Sequence, residues 1–104
     1  MSVKKTYNVT LAATYQNLAN LVGGANGRIP IGDGTANKVL ITATTYSADI
    51  AWADAVPTLT TGHPIAAGDS VTLNGLSEIK NAWLKNTVGA SASIVIITAF
   101  EVHE

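Results

Sequence analysis

From Ser93 to Val102 the chain reads SIVIITAFEV, and both alternating faces of that stretch are greasy. Ile94, Ile96, Thr98, Phe100 and Val102 share one side. Val95, Ile97 and Ala99 share the other before Glu101 and His103 restore polarity. Successive side chains of a strand point to opposite faces, so this segment, read as a strand, needs cover on two sides. An antiparallel sheet ordinarily leaves one side wet. A strand apolar on both sides is therefore central and overlaid, or part of a contact between subunits.

The same period of two recurs upstream. In NKVLITATT, Val39, Ile41 and Ala43 alternate with Lys38, Leu40, Thr42 and Thr44; in ADIAWADA, Ile50 and Trp52 oppose Asp49, Ala51 and Ala53. DSVTLNG repeats the device with Val71 and Leu73 against Ser70, Thr72 and Asn74. Short alternating runs separated by turn residues are the pattern of a sandwich. TYQNLANLVGG is different: Tyr15, Leu18 and Val22 fall at helical spacing, with Thr14 as a cap and Gly23-Gly24 as a stop. LSEIKNAWLKN reads as a turn followed by a strand carrying Trp83, and GGANGRIPIGDGTAN as a long loop enclosing a short extended RIPI piece. The expected fold is all-β: one antiparallel β-sandwich domain of jelly-roll character over residues 1–104, with at most one short helix.

Charge is scarce. Asp, Glu, Lys and Arg make up 12% of the 104 residues, with mean hydropathy +0.27, against about 25% charged residues in ordinary soluble domains. A small domain has proportionally more surface to hydrate, so part of this one is expected to meet protein rather than water. The formal net charge of -1 offers no general attraction to phosphate backbones or anionic lipid, so neither nucleic acid nor membrane is an expected partner. The lysines near the amino terminus precede no apolar run, which argues against a secretory leader, and SIVIITAF is too short to span a bilayer. Cysteine is absent, which removes disulfides, thiolate metal sites and cysteine nucleophiles together.

Residues able to do chemistry are few and scattered. The closely spaced glycines of GGANGRIPIGDG lack the helix that a phosphate cradle needs behind a strand, because Lys38 is followed by Val39 and a strand. Asp33, Asp49, Asp54, Asp69, Glu78, Glu101 and Glu104 show no calcium-loop spacing. His63 sits between Gly62 and Pro64 at a turn entrance, His103 lies beside the chain end, and neither has an evident triad partner. HPIAAGDSVTLNG reads as structural punctuation: Pro64 sets an extended entry, Ile65 anchors the core, and Ala66 to Asp69 turns the chain into the next strand. No cofactor, metal or enzymatic activity is expected. Trp52 and Trp83 are the residues that could stack on a sugar, although core or interface is the commoner fate of tryptophan in a small domain.

The succession NKVLITATT, ADIAWADA, GHPIAAGDSVTLNGLSEI and WLKNTVGASASIVIITAFEV resembles small β-rich virion structural proteins of tailed bacteriophages, over about two thirds of the chain. Gly62, Pro64, Ile65, Gly68, Ser70, Val71 and Leu73 match that family's G-x-P-I/L-x-x-G-x-S-V-x-L hairpin. The resemblance implies a fold and no catalytic site. It implies a capsid cement, decoration or head-fibre protein on the virion surface, a homotrimer with the major capsid protein as partner. On this reading Trp83, Val95 and Ile97 are the candidate interface residues, and the glycine-rich loop with Asn26, Arg28, Ile29 and Asp33 is the candidate capsid-facing element. The rival expectation is a carbohydrate- or receptor-binding module of a fibre or tip, which needs an exposed indole beside Asn or Asp.

Overall fold

Alternation fixes two sheets. The computed structural model describes residues 2–31, 34–58, 62–87 and 92–102. Sheet A carries β1 (Ser2–Thr10), β10 (Ile94–Val102), β5 (Lys38–Thr45) and β8 (Ser70–Asn74) in that spatial order. Sheet B carries β2 (Gln16–Asn17), β9 (Ala82–Asn86), β6 (Ala48–Trp52) and β7 (His63–Ile65). All pairings within both are antiparallel. A small ribbon of β3 (Pro30–Ile31) and β4 (Gly34–Thr35) stands apart. The protein is an all-β sandwich.

The strands pair in a nested order, β1 with β10, β2 with β9, β5 with β8 and β6 with β7. This is a long hairpin folded over on itself. Its two layers are held by apolar side chains of one parity: Val39, Ile41, Ala43, Leu73, Val95, Ile97 and Ala99 from sheet A, and Ala48, Ile50, Ile65, Ala82 and Leu84 from sheet B, all buried. The expected alternation in β5 and β8 is what sheet A uses; in β6 it holds at Ile50, whereas Trp52 at the strand's end is exposed and Ala51 is buried. In β10 the inward parity is Val95, Ile97 and Ala99.

Two helical segments close one side, one more than expected. α1 (Leu18–Leu21) buries Leu18 and Ala19, and its cap is Asn17 rather than Thr14: the Asn17 carboxamide oxygen accepts from the Ala19 N–H at 3.2 Å. The same carboxamide donates to the Lys80 carbonyl at 3.0 Å, joining α1 to the end of the second helix. That helix, α2 (Leu76–Lys80), starts behind Gly75 at φ 91°, and the Glu78 carboxylate accepts from the Asn74 N–H at 3.1 Å. It buries Ile79 alone. A single helical turn has too few residues to show a period of 3.6, which is why LSEIK reads as a turn in sequence.

The GGANG stretch is more ordered than its composition suggests. Asn26 and Gly27 take φ 55° and 73°, and Ala25 and Arg28 exchange backbone hydrogen bonds at 3.2 and 3.0 Å. This is a two-residue Asn-Gly turn with both central residues left-handed. Ile29 and Ile31, which follow it, drop into the core. At Ala66–Asp69 the Asp69 N–H bonds to the Ala66 carbonyl at 2.9 Å with Gly68 at φ 93°, the geometry of a type II turn. That turn does not close a hairpin. β7 belongs to sheet B and β8 to sheet A, so the turn carries the chain across from one layer to the other.

Candidate functional site

The expected interface residues divide. Val95 and Ile97 are fully buried between the two sheets, paired across from Val9 and Tyr7 on one side and Ala43 and Ile41 on the other. They face the core and offer no surface to another molecule while the domain is folded, which corrects their reading as interface residues. Trp83 is half-buried on the outer side of sheet B. In the loop assignment, Asn26 and Arg28 are exposed at the Asn-Gly turn, but Ile29 is completely buried and is a core residue. Asp33 lies outside the described residues.

The outward parity of sheet A forms a broad, nearly uncharged face. Strand register lays it out in rows: Lys4, Phe100, Lys38 and Asn74; then Thr6, Thr98, Leu40 and Thr72; then Asn8, Ile96, Thr42 and Ser70. Ile94 continues it beyond a bulge, where the Thr44 hydroxyl donates to the Ile94 carbonyl at 3.0 Å. Leu40, Ile94, Ile96 and Phe100 are all half-buried. The intervening hydroxyls bond sideways to each other: Thr6 Oγ1 lies 3.1 Å from Thr98 Oγ1, and Thr42 Oγ1 2.7 Å from Ser70 Oγ. A hydroxyl satisfied by its neighbour loses less when water is removed. Charge on this face is confined to one row, where Lys38 sits 5.8 Å from the centre of the Phe100 ring.

The outer side of sheet B is built differently. Lys85 is fully buried there, donating to Asp49 Oδ2 at 2.8 Å and to the Asn86 carbonyl at 2.8 Å, with its ammonium 5.5 Å from the centre of the Tyr15 ring. Thr87 Oγ1 donates to the other Asp49 oxygen at 3.5 Å and shares a 2.8 Å contact with Ser47. Burial raises the Tyr15 phenol above its ordinary range, with a further push from the Asp49 charge. Gly62 is required beneath that ring, because a Cβ there would overlap the Tyr15 hydroxyl. This cluster is a closed structural network: every charge in it has a partner.

Beside it lies a cavity of about 280 Å³ lined by Tyr15, Gln16, Asn17, Asn20, Leu21 and Trp83. The Trp83 indole N–H donates to the Ala53 carbonyl at 3.0 Å, which fixes the ring. A second, more open hollow is lined by Asn37, Lys38, Asn74, Gly75 and Val102. Neither is lined by a carboxylate or a histidine. Among the described residues no three His, Asp or Glu side chains gather as a metal would need. His63 is exposed, as its place at a turn entrance suggests, with its ring 6.4 Å from that of Trp52, which is 43% exposed. Among the described residues no helix is long and apolar enough to cross a membrane.

The sequence signal for the outer face of sheet A was present in Ile94, Ile96 and Phe100, but sequence alone could not say which parity of a doubly apolar strand points out. No protein-family model, curated protein or solved structure matches the chain.

Proposed function

We propose that this protein is a non-enzymatic structural module of a tailed-phage virion, of the capsid cement or decoration kind, which assembles with copies of itself and lies against the major capsid protein. The observation that carries the self-association is the outer face of sheet A: Leu40, Ile94, Ile96 and Phe100 set among hydroxyls of which those of Thr6, Thr98, Thr42 and Ser70 are already paired. Such a face gives up little hydration on contact, and each 100 Å² of apolar surface it covers contributes about 2.5 kcal/mol before the cost of association. A homotrimer is the assembly we favour, and repetition over a shell would multiply individually weak contacts. The nested strand pairing, which rolls one long hairpin into two layers, supports a jelly-roll assignment. The phage assignment rests on the turn and strand residue pattern from Gly62 to Leu73 and the strands around it, a pattern of sequence and not of a closed hairpin.

Sedimentation equilibrium tests the assembly. A species of three times 10.7 kDa is expected at micromolar concentration. Ile96→Lys should reduce it to single chains with an unchanged circular dichroism spectrum, whereas Ile97→Lys should unfold the domain. A wild-type chain that stays at 10.7 kDa removes the self-association. Co-sedimentation of the purified protein with phage heads tests the shell contact.

A further inference from the structure

We propose that the cavity between β2, α1 and β9 is a binding site for a neutral pyranose ring. It lies on sheet B, away from the proposed self-association face, and does not depend on that reading.

Three observations point to this ligand class. First, the lining of Tyr15, Gln16, Asn17, Asn20, Leu21 and Trp83 holds no charged group, so it offers no countercharge to a phosphate, a carboxylate or an ammonium. Lys85 and Asp49, beside Tyr15, are paired with each other at 2.8 Å. Second, Trp83 has spent its one donor on the Ala53 carbonyl, so what it presents to the cavity is carbon surface on a ring that cannot turn. A fixed indole matches the C–H face of a sugar ring. Third, the polar groups on the rim are carboxamides, which both donate and accept, as a ring of hydroxyls requires. Asn17 is committed to Ala19 and Lys80. Gln16 and Asn20 are exposed, and no hydrogen bond within the chain engages their side chains among the described residues. A volume of about 280 Å³ is at the small end for ligand sites and suits one ring rather than a chain of them.

The test uses the full-length chain carrying Trp52→Phe, so that Trp83 is the only fluorophore of its kind. Methyl glycosides of glucose, galactose, mannose and N-acetylglucosamine are titrated to tens of millimolar. At least one should shift or quench Trp83 emission saturably, with the millimolar affinity expected of a single small ring. The exposed pair Gln16→Ala with Asn20→Ala should weaken that binding tenfold or more while leaving the thermal unfolding midpoint in place. Trp83→Leu, followed by isothermal calorimetry, should abolish it. No saturable response to any of the four overturns the proposal. So does a response that the double variant leaves intact.

Discussion

Lys85 shows how far a single residue can depart from its type. Lysine is among the side chains least often fully buried, and in a chain this poor in charge it would be expected at the surface. It is buried because Tyr15, Asp49 and the backbone of Asn86 surround its ammonium. Nothing local announces this, since Asp49 and Tyr15 are 36 and 70 positions away. Removing one member leaves the other stranded. Asp49→Ala should cost about 3–5 kcal/mol in urea unfolding, and Lys85→Met, which keeps the packing and leaves a carboxylate that water can still reach, about 1 kcal/mol or less. The reverse ranking would mean that the pair is not buried as described. Tyr15 adds a pH effect. Its folded phenol holds the proton more tightly than the ordinary 10.0, because burial first and Asp49 second disfavour the phenolate. That contribution is fully present below pH 10 and is lost as pH rises through the raised folded value. The alkaline fall in stability should therefore be shallower in Tyr15→Phe than in the wild type, measured as unfolding free energy from pH 9 to 11.

At the scale of elements, strands with one wet face were legible and those without were not. β5 and β8 follow from Val39-Ile41-Ala43 and Val71-Leu73, because alternation with polar neighbours leaves one solution for which side goes in; in β6 Ile50 goes in as read, while Trp52 at the strand's end is exposed and Ala51 on the other parity is buried. β10 gave its existence but not its orientation. With apolar residues on both parities, only the pairing with Tyr7 and Val9 of β1 and Ile41 of β5 decides that Val95 and Ile97 face the core. β1 itself carries Lys4 and Lys5 in its first half and has a weak pattern, so its place at the sheet edge comes from its partner. Asn26-Gly27 was a turn signal hidden in a glycine-rich run. The Ala66–Asp69 turn was legible as a turn, but not as the crossing between layers, since the same four residues can close a hairpin or a corner. That crossing can be probed. Gly68 stands at φ 93° with no atom near enough to obstruct a side chain, so only the backbone conformation resists substitution. Gly68→Ala should cost about 1–2 kcal/mol and Gly68→Asn clearly less, because asparagine tolerates the left-handed region. Equal losses for both would argue that packing rather than φ governs the corner.

The whole molecule hides its apolar residues well, which sharpens what its composition means. Its accessible surface of 5621 Å² is that of an ordinary compact chain of this mass, about 5,500 Å². The shortage of charge therefore does not reflect a core turned outward. It reflects a surface of Thr, Ala and Asn with exposed Tyr46, Trp52, Val56, Leu76 and Val102, and with half-buried Leu, Ile and Phe on the outer side of sheet A. If copies join there, folding and assembly are linked, and the stability of each chain depends on how much protein is present. For a trimer that dissociates as it unfolds, each tenfold rise in concentration adds about 0.9 kcal/mol per chain, two thirds of the 1.4 kcal/mol carried by a factor of ten. A domain of this size shifts by about 4–8 °C per kcal/mol, so Tm should climb by several degrees between 5 and about 50 µM in scanning calorimetry. Because the centre of the face carries no charge, the climb should persist with little change from low salt to about 0.5 M, where the screening length is only a few ångströms. An increment that vanishes in salt would move the contact to the Lys4 and Lys38 row, and a Tm independent of concentration would leave the face to water.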